Sequence, residues 1–167
     1  MAKWELARDK LVELFGSTRD EWMAEDLQGW LAPNRMYDGL PEALKAAVEH
    51  KEVYIVTTKQ ARFTATLLQE MAGFEFPLEK IFSTTVSGQP KTEVLENLEG
   101  AHPGMNYMFI EDKLATLQKV CADSKLNRWQ LLFADWGYNT LPQRNIASAD
   151  SRMRLVSLQE FASMLAE

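Results

Sequence analysis

Three places along the chain hold side chains that could do chemistry together. The run YMFIED ends in Glu111 and Asp112, two adjacent carboxylates after an apolar stretch. Such a pair favours a hard cation with oxygen ligands, and magnesium would take one or two of them and keep several waters. Lys91, in SGQPKTEVL, falls where a helix begins. A cation there opposes the helix macrodipole and asks for an anion. Thr57 and Thr58, in IVTTKQ, follow a β-branched run, and a hydroxyl at such a turn can bond a phosphate oxygen. Each feature has a plainer alternative. The threonines can cap the next helix, the lysine can be solvated, and the acids can suit the N-terminus of the helix that follows them. Together, a hydroxyl, a lysine and an acid pair at successive strand ends are the apparatus of metal-assisted phosphoryl transfer.

The elements that must position these groups read as follows. Trp4, Ala7, Leu11 and Leu14 share one face of a helix from about residue 3 to 15, which Gly16 stops. Thr18 with Glu21 fits a capping box for a second helix, whose apolar stripe is Trp22, Met23, Leu27, Trp30 and Leu31. Those tryptophans are read as packing rather than as a ligand box. Pro33 and Asn34 mark a boundary, so that 1–34 is one segment and 35–167 another. Beyond it helices alternate with strands: a helix at about 41–50, then EVYIVTT, a helix at about 60–72, and KIFST. KTEVLENL (helix), NYMFIED (strand), KLATLQKVCA (helix), RWQLLFA (strand), MRLVS (strand) and LQEFASMLA (helix) complete the pattern. This alternation implies an α/β fold with a mostly parallel sheet covered by helices on both faces. Ligands in such sheets sit at the carboxyl ends of the strands.

Composition narrows the partners. The 167 residues carry a net charge of −6, which argues against nucleic acid as a partner. No apolar run reaches the roughly 20 residues of a membrane helix, and the charged N-terminus is no signal peptide. A single cysteine, Cys121, allows no intrachain disulfide and suits a reducing compartment, with cytoplasm or an organelle stroma expected. His50 and His102 have no partner at zinc-ligand spacing. No Gly-x-Gly-x-x-Gly or Gly-x-Ser-x-Gly occurs, which weakens dinucleotide-binding and serine-hydrolase readings.

In order and spacing these motifs resemble those of the haloacid dehalogenase superfamily of phosphohydrolases. VYIVTTK resembles its second motif, with Thr57 as the phosphate-binding hydroxyl, Lys91 resembles its third-motif lysine, and MFIEDKLATL its acid-pair fourth motif. DWGYNT, Asp135 to Thr140, is similar to a turn in phosphoglycolate-phosphatase-like members, and RMYDGLPEAL to their return from a helical cap. The resemblance covers roughly residues 35 to 145. It implies a Rossmann-like parallel sheet flanked by helices, with 1–34 as the remnant of a helical cap. It also implies phosphate binding by Thr57, Thr58 and Lys91, magnesium on Glu111 and Asp112, and a small phosphorylated metabolite as substrate.

The superfamily's first motif, an apolar strand followed by Asp-x-Asp-x-Thr, does not occur in this sequence. Its first aspartate is the nucleophile, and its strand lies between those ending at Thr57 and Ile110. The expectation is therefore a truncated phosphohydrolase with little or no activity and a sheet lacking a central strand. The two inner strands would pair directly, take a strand from a second copy in a homodimer, or be completed by a separate N-terminal fragment. Self-association is the outcome favoured here. The alternative is a non-catalytic interaction module on the same fold.

Overall fold

The computed structural model describes residues 7–166. In chain order the elements are α1 (Arg8–Glu25), α2 (Leu27–Leu31), α3 (Leu40–His50), β1 (Ile55–Thr57), α4 (Ala61–Leu67), β2 (Ile81–Ser83) and α5 (Thr84–Ser87). Then come α6 (Lys91–Ala101), β3 (Tyr107–Glu111), α7 (Leu114–Ala122), β4 (Trp129–Ala134), α8 (Leu141–Ala149), β5 (Met153–Val156) and α9 (Leu158–Ala166). The fold is mixed α/β, with small parallel sheets flanked by helices. The strands fall into two sheets rather than the one expected: β1–β2, and β3–β4–β5. The chain divides into two compact units.

The first unit comprises the described residues up to Met36 together with Tyr54–Gly88. Its N-terminal part corrects the sequence reading. One continuous helix of 18 residues runs through Gly16, where a stop was expected. Glycine lowers helix propensity by only about 1 kcal/mol, which flanking helix formers absorb. Gly16 is buried, and a Cβ there would meet the Arg62 guanidinium at 2.8 Å and the Gln60 carboxamide at 3.0 Å. The glycine is therefore a point of close approach, not a terminator. The break comes ten residues later, at Asp26, whose side chain accepts from the Gly29 N–H and starts α2. Thr18 and Glu21 lie inside α1, so no capping box forms there. Trp4 and the expected helix start lie outside the described residues.

Trp30 and Leu31 pack on Phe63 and Leu67, with Met23, Leu27, Met36 and Met71 around them. The Trp30 and Phe63 rings are 5.9 Å apart. Trp30 is thus a core residue, whereas Trp22 is exposed. The helix expected at 60–72 forms as α4 and then widens to a π turn at Leu68–Ala72, closed by Gly73 at φ 67°. β1 and β2 are three residues each and pair in parallel, Thr57 beside Ser83. A β1 this short reflects its half-buried positions, which supply little packing to extend it.

The second unit comprises Tyr37–Val53 and the residues from Gln89 onward. Here β4 is central, with five of its six residues buried. Its Phe133 is fully buried, as are Leu117, Leu126 and Val120. β3 and β5 flank β4 in parallel. Tyr107 and Trp129 stand opposite each other in the β3–β4 register with rings stacked at 5.1 Å. The Trp129 indole N–H donates to Glu99, and the Tyr107 hydroxyl donates to the His102 carbonyl. α8 was not expected from the sequence. Its cap is nevertheless legible there: Thr140 and Gln143 form a capping box, and Pro142 sits in the first turn. Among the described residues no helix is long and apolar enough to cross a membrane.

Candidate functional site

The carboxyl end of β3 carries the acid pair, and the structure separates the two acids. Glu111 closes the strand and Asp112 lies just past it, so adjacency in sequence does not make a joint binding face. Glu111, the last residue of β3, is 8% exposed. One of its oxygens meets the Lys91 ammonium at 2.5 Å, and the other accepts the Lys113 N–H at 3.1 Å. Asp112 turns to the loop after β4, where its Oδ2 accepts the Tyr138 N–H at 2.7 Å.

Lys91 is the first residue of α6, with Pro90 as its N-cap. The sequence asked what anion would sit against a cation at a helix N-terminus, and the anion is Glu111. Its ammonium also lies 5.9 Å from the centroid of the Phe109 ring. A buried carboxylate needs such a partner, because an unpaired charge in this position costs several kcal/mol.

The loop after β4 is held from several sides. Trp136 stacks on Phe161 at 5.8 Å and meets Tyr37 edge-on at 6.5 Å. The Asn139 amide donates to the Ala134 carbonyl at 2.7 Å and the Asp112 carbonyl at 3.3 Å. Arg144 donates to Asn139 and to the Asp135 carbonyl. Gly137 lies against Asp112 so closely that any Cβ would collide with it. The WGYN stretch is therefore what fixes Asp112. Tyr138, next to the glycine, is 88% exposed.

Thr57 and Thr58 belong to the first unit. The Thr57 hydroxyl accepts the Lys59 N–H at 3.0 Å, a local turn bond. Its carbonyl accepts from the Thr84 hydroxyl. Neither threonine caps α4, whose N-cap is Gln60. Thr58 is exposed. The structure thus brings Lys91, Glu111 and Asp112 to one strand end, and gives Thr57 a local role at another.

For magnesium the donor set at the β3 end is incomplete. Glu111 is committed to Lys91 and Lys113, and Asp112 to Tyr138. Among the described residues no three His, Cys, Asp or Glu side chains gather as a metal-binding group. The remaining candidates sit as helix residues. His50 ends α3, His102 caps the C-terminus of α6, and Cys121 lies on α7, where burial raises its thiol above the ordinary value.

In comparisons with protein-family models, with curated proteins and with solved structures, nothing matches this chain.

Proposed function

We propose that the chain is a phosphohydrolase-like α/β domain of the haloacid dehalogenase kind, which engages the phosphate of a small phosphorylated metabolite and hydrolyses it slowly or not at all. The observation that supports this reading is the Lys91–Glu111 pair at the carboxyl end of β3, beside an Asp112 fixed by the next strand's loop. A phosphate at this end would compete with Glu111 for the Lys91 ammonium. No attacking group accompanies it: the sequence holds no apolar strand followed by Asp-x-Asp-x-Thr, and Asp112 accepts a backbone bond. The residues present do not by themselves fit the magnesium ion that the resemblance implies.

The test has two readouts. Phosphate release from p-nitrophenyl phosphate with added magnesium is expected to equal that of Asp112→Asn. Turnover abolished by Asp112→Asn would overturn the inactive part of the proposal. Calorimetry with inorganic phosphate is expected to show binding that the double variant Lys91→Met/Glu111→Gln loses. No binding by the parent protein would overturn the family reading itself.

A second reading, the interaction module, is favoured by the strand edges. Among the described residues, β3 has a ladder partner on one side only, β4, and β1 only β2. Unpaired strand edges recruit strands from other chains. On this reading a second copy of the chain pairs along β3, and light scattering at micromolar concentration finds a dimer. A clean monomer would remove it.

A further inference from the structure

A groove of about 720 Å3 in the first unit is assigned no role by the proposed function. Its volume falls within the ~300–1,000 Å3 usual for small-molecule sites. One wall is a single face of α1. Arg8, Leu11, Val12, Phe15 and Arg19 follow at helical spacing, so both guanidinium groups stand on the same stripe as the apolar residues between them. The other wall is the turn from β1 into α4, with Thr58, Lys59 and Phe63, and Thr85 closes one end.

The charge pattern is one-sided. Arg8, Arg19 and Lys59 all line the groove, and among the described residues no aspartate or glutamate does. This inverts the sign of the chain as a whole, which carries −6. The cations act on one another: burial, with the Arg19 charge added, pulls the Lys59 ammonium below the ordinary lysine value, although the residue as a whole is exposed. Arg8 is held in place by donating to the Thr85 carbonyl at 2.7 Å. Arg19 donates to the Phe15 carbonyl, and its guanidinium lies 5.3 Å from the Phe15 ring centroid and 5.9 Å from that of Phe63.

Arg8 also meets Asp9 at 3.5 Å, and the two cations that act on each other, Arg19 and Lys59, attract an anion. The exposed Phe15 ring, with Leu11 and Val12 on the same helix face, offers apolar area that a bare inorganic ion cannot use. We infer that this groove binds a small organic anion with an aromatic body, its charged group between Arg19 and Lys59 and its ring against Phe15, Leu11 and Val12. This site does not depend on the phosphohydrolase reading, because none of its cations is Lys91 and its ligand need not carry phosphate.

The test uses 2-naphthalenesulfonate, with sulfate and neutral 2-naphthol as controls, titrated against the whole chain by calorimetry and by amide chemical shifts. Binding of the naphthalenesulfonate is expected, at least tenfold tighter than either control. Each control lacks one half of the recognition, and a charge-assisted contact alone amounts to about a factor of ten. Arg19→Gln and Lys59→Gln are each expected to weaken it about tenfold, by the same contact. Phe15→Ala weakens it through lost ring contact, while Lys119→Gln, on α7, leaves it unchanged. Arg19, Lys59 and Phe15 are exposed, so these variants keep the fold. Sulfate binding as tightly as the naphthalenesulfonate would reduce the site to a generic anion patch and overturn the proposal. So would equal binding of 2-naphthol, or binding indifferent to the Arg19 and Lys59 changes, or no binding at all.

Discussion

Lys91 and Glu111 meet at 2.5 Å, joining the first turn of α6 to the last residue of β3. The carboxylate side chain is 6% exposed and the lysine side chain 21%, so water screens the pair little. Removing one member of such a pair strands the other charge, at a cost of about 3–5 kcal/mol when burial is complete. Lys91→Met is therefore expected to lower stability by roughly 3 kcal/mol. The double variant Lys91→Met/Glu111→Gln is expected to recover most of that loss, since a neutral amide can still accept the Lys113 N–H. Urea denaturation of the two single variants and the double variant measures the coupling. Additive losses would mean that the two side chains do not act as a unit.

Gly137 and Gly16 predict opposite outcomes for the same substitution. At Gly137 an added Cβ collides with the Cβ and carboxylate of Asp112, atoms fixed close to the backbone. Gly137→Ala must shift the loop, at a cost of about 1–3 kcal/mol, and it pulls Asp112 from the Tyr138 N–H. At Gly16 the crowding atoms are the far ends of the Arg62 and Gln60 side chains, which can move. There the helix gains about 1 kcal/mol from alanine. That offsets disturbance of the exposed Arg62–Asp20 pair, which water screens strongly. Gly16→Ala is expected to be near neutral. Thermal melts of the two variants side by side decide this, and a greater loss at Gly16 would contradict it.

These two glycines also mark where the sequence was legible. Most of the helix–strand alternation after residue 40 is readable because those elements carry their own apolar patterns, from α3 through β3, β4 and α9, whereas α8, with one buried residue, shows little of one. The parallel pairing followed from that alternation. Gly16 was read as a stop because local propensity is all a sequence shows. The packing of Arg62 and Gln60 against it is long-range and leaves no local mark. That reading cut the face of α1 in two and hid the Arg8–Phe15–Arg19 stripe, although its spacings of seven and four residues are helical. At the acid pair, adjacency in sequence does not give convergence in space. Glu111 ends the strand against Lys91, whereas Asp112 lies just past it and turns to the Tyr138 N–H. The loop that holds Asp112 was invisible to spacing because Gly137 lies 25 positions further along.

The Arg62–Asp20 pair sets an acid limb on stability. Arg62 donates twice to the Asp20 carboxylate, at 2.8 and 2.7 Å. That bonding holds Asp20 below its usual value of 3.8. A carboxyl depressed on folding contributes stability that is present above the unfolded value and lost as pH falls through the lower, folded one. Parent protein is therefore expected to lose more stability than Asp20→Asn on going from about pH 5 to about pH 3. Both residues are half exposed, so the difference is small and fades with salt. Urea midpoints at the two pH values, in low and high salt, measure it. Equal acid losses in parent and variant would show that the pair is not linked to folding.

Lys59 offers a titration in the opposite sense. Its ammonium is depressed by burial and by the Arg19 charge. A base lowered on folding carries an unfavourable charge at neutral pH, and a bound anion relieves it. Three expectations follow from the sign. Arg19→Gln raises the Lys59 value toward that of free lysine, because one of the two depressing causes is gone. Saturation with 2-naphthalenesulfonate raises it as well, because the ligand favours the charged form. In Arg19→Gln the ligand-induced rise is smaller, since less ligand charge is held beside the ammonium. NMR titration of the Lys59 side-chain carbons in selectively labelled protein follows all three. A value that the ligand leaves unmoved would place the anion away from Lys59.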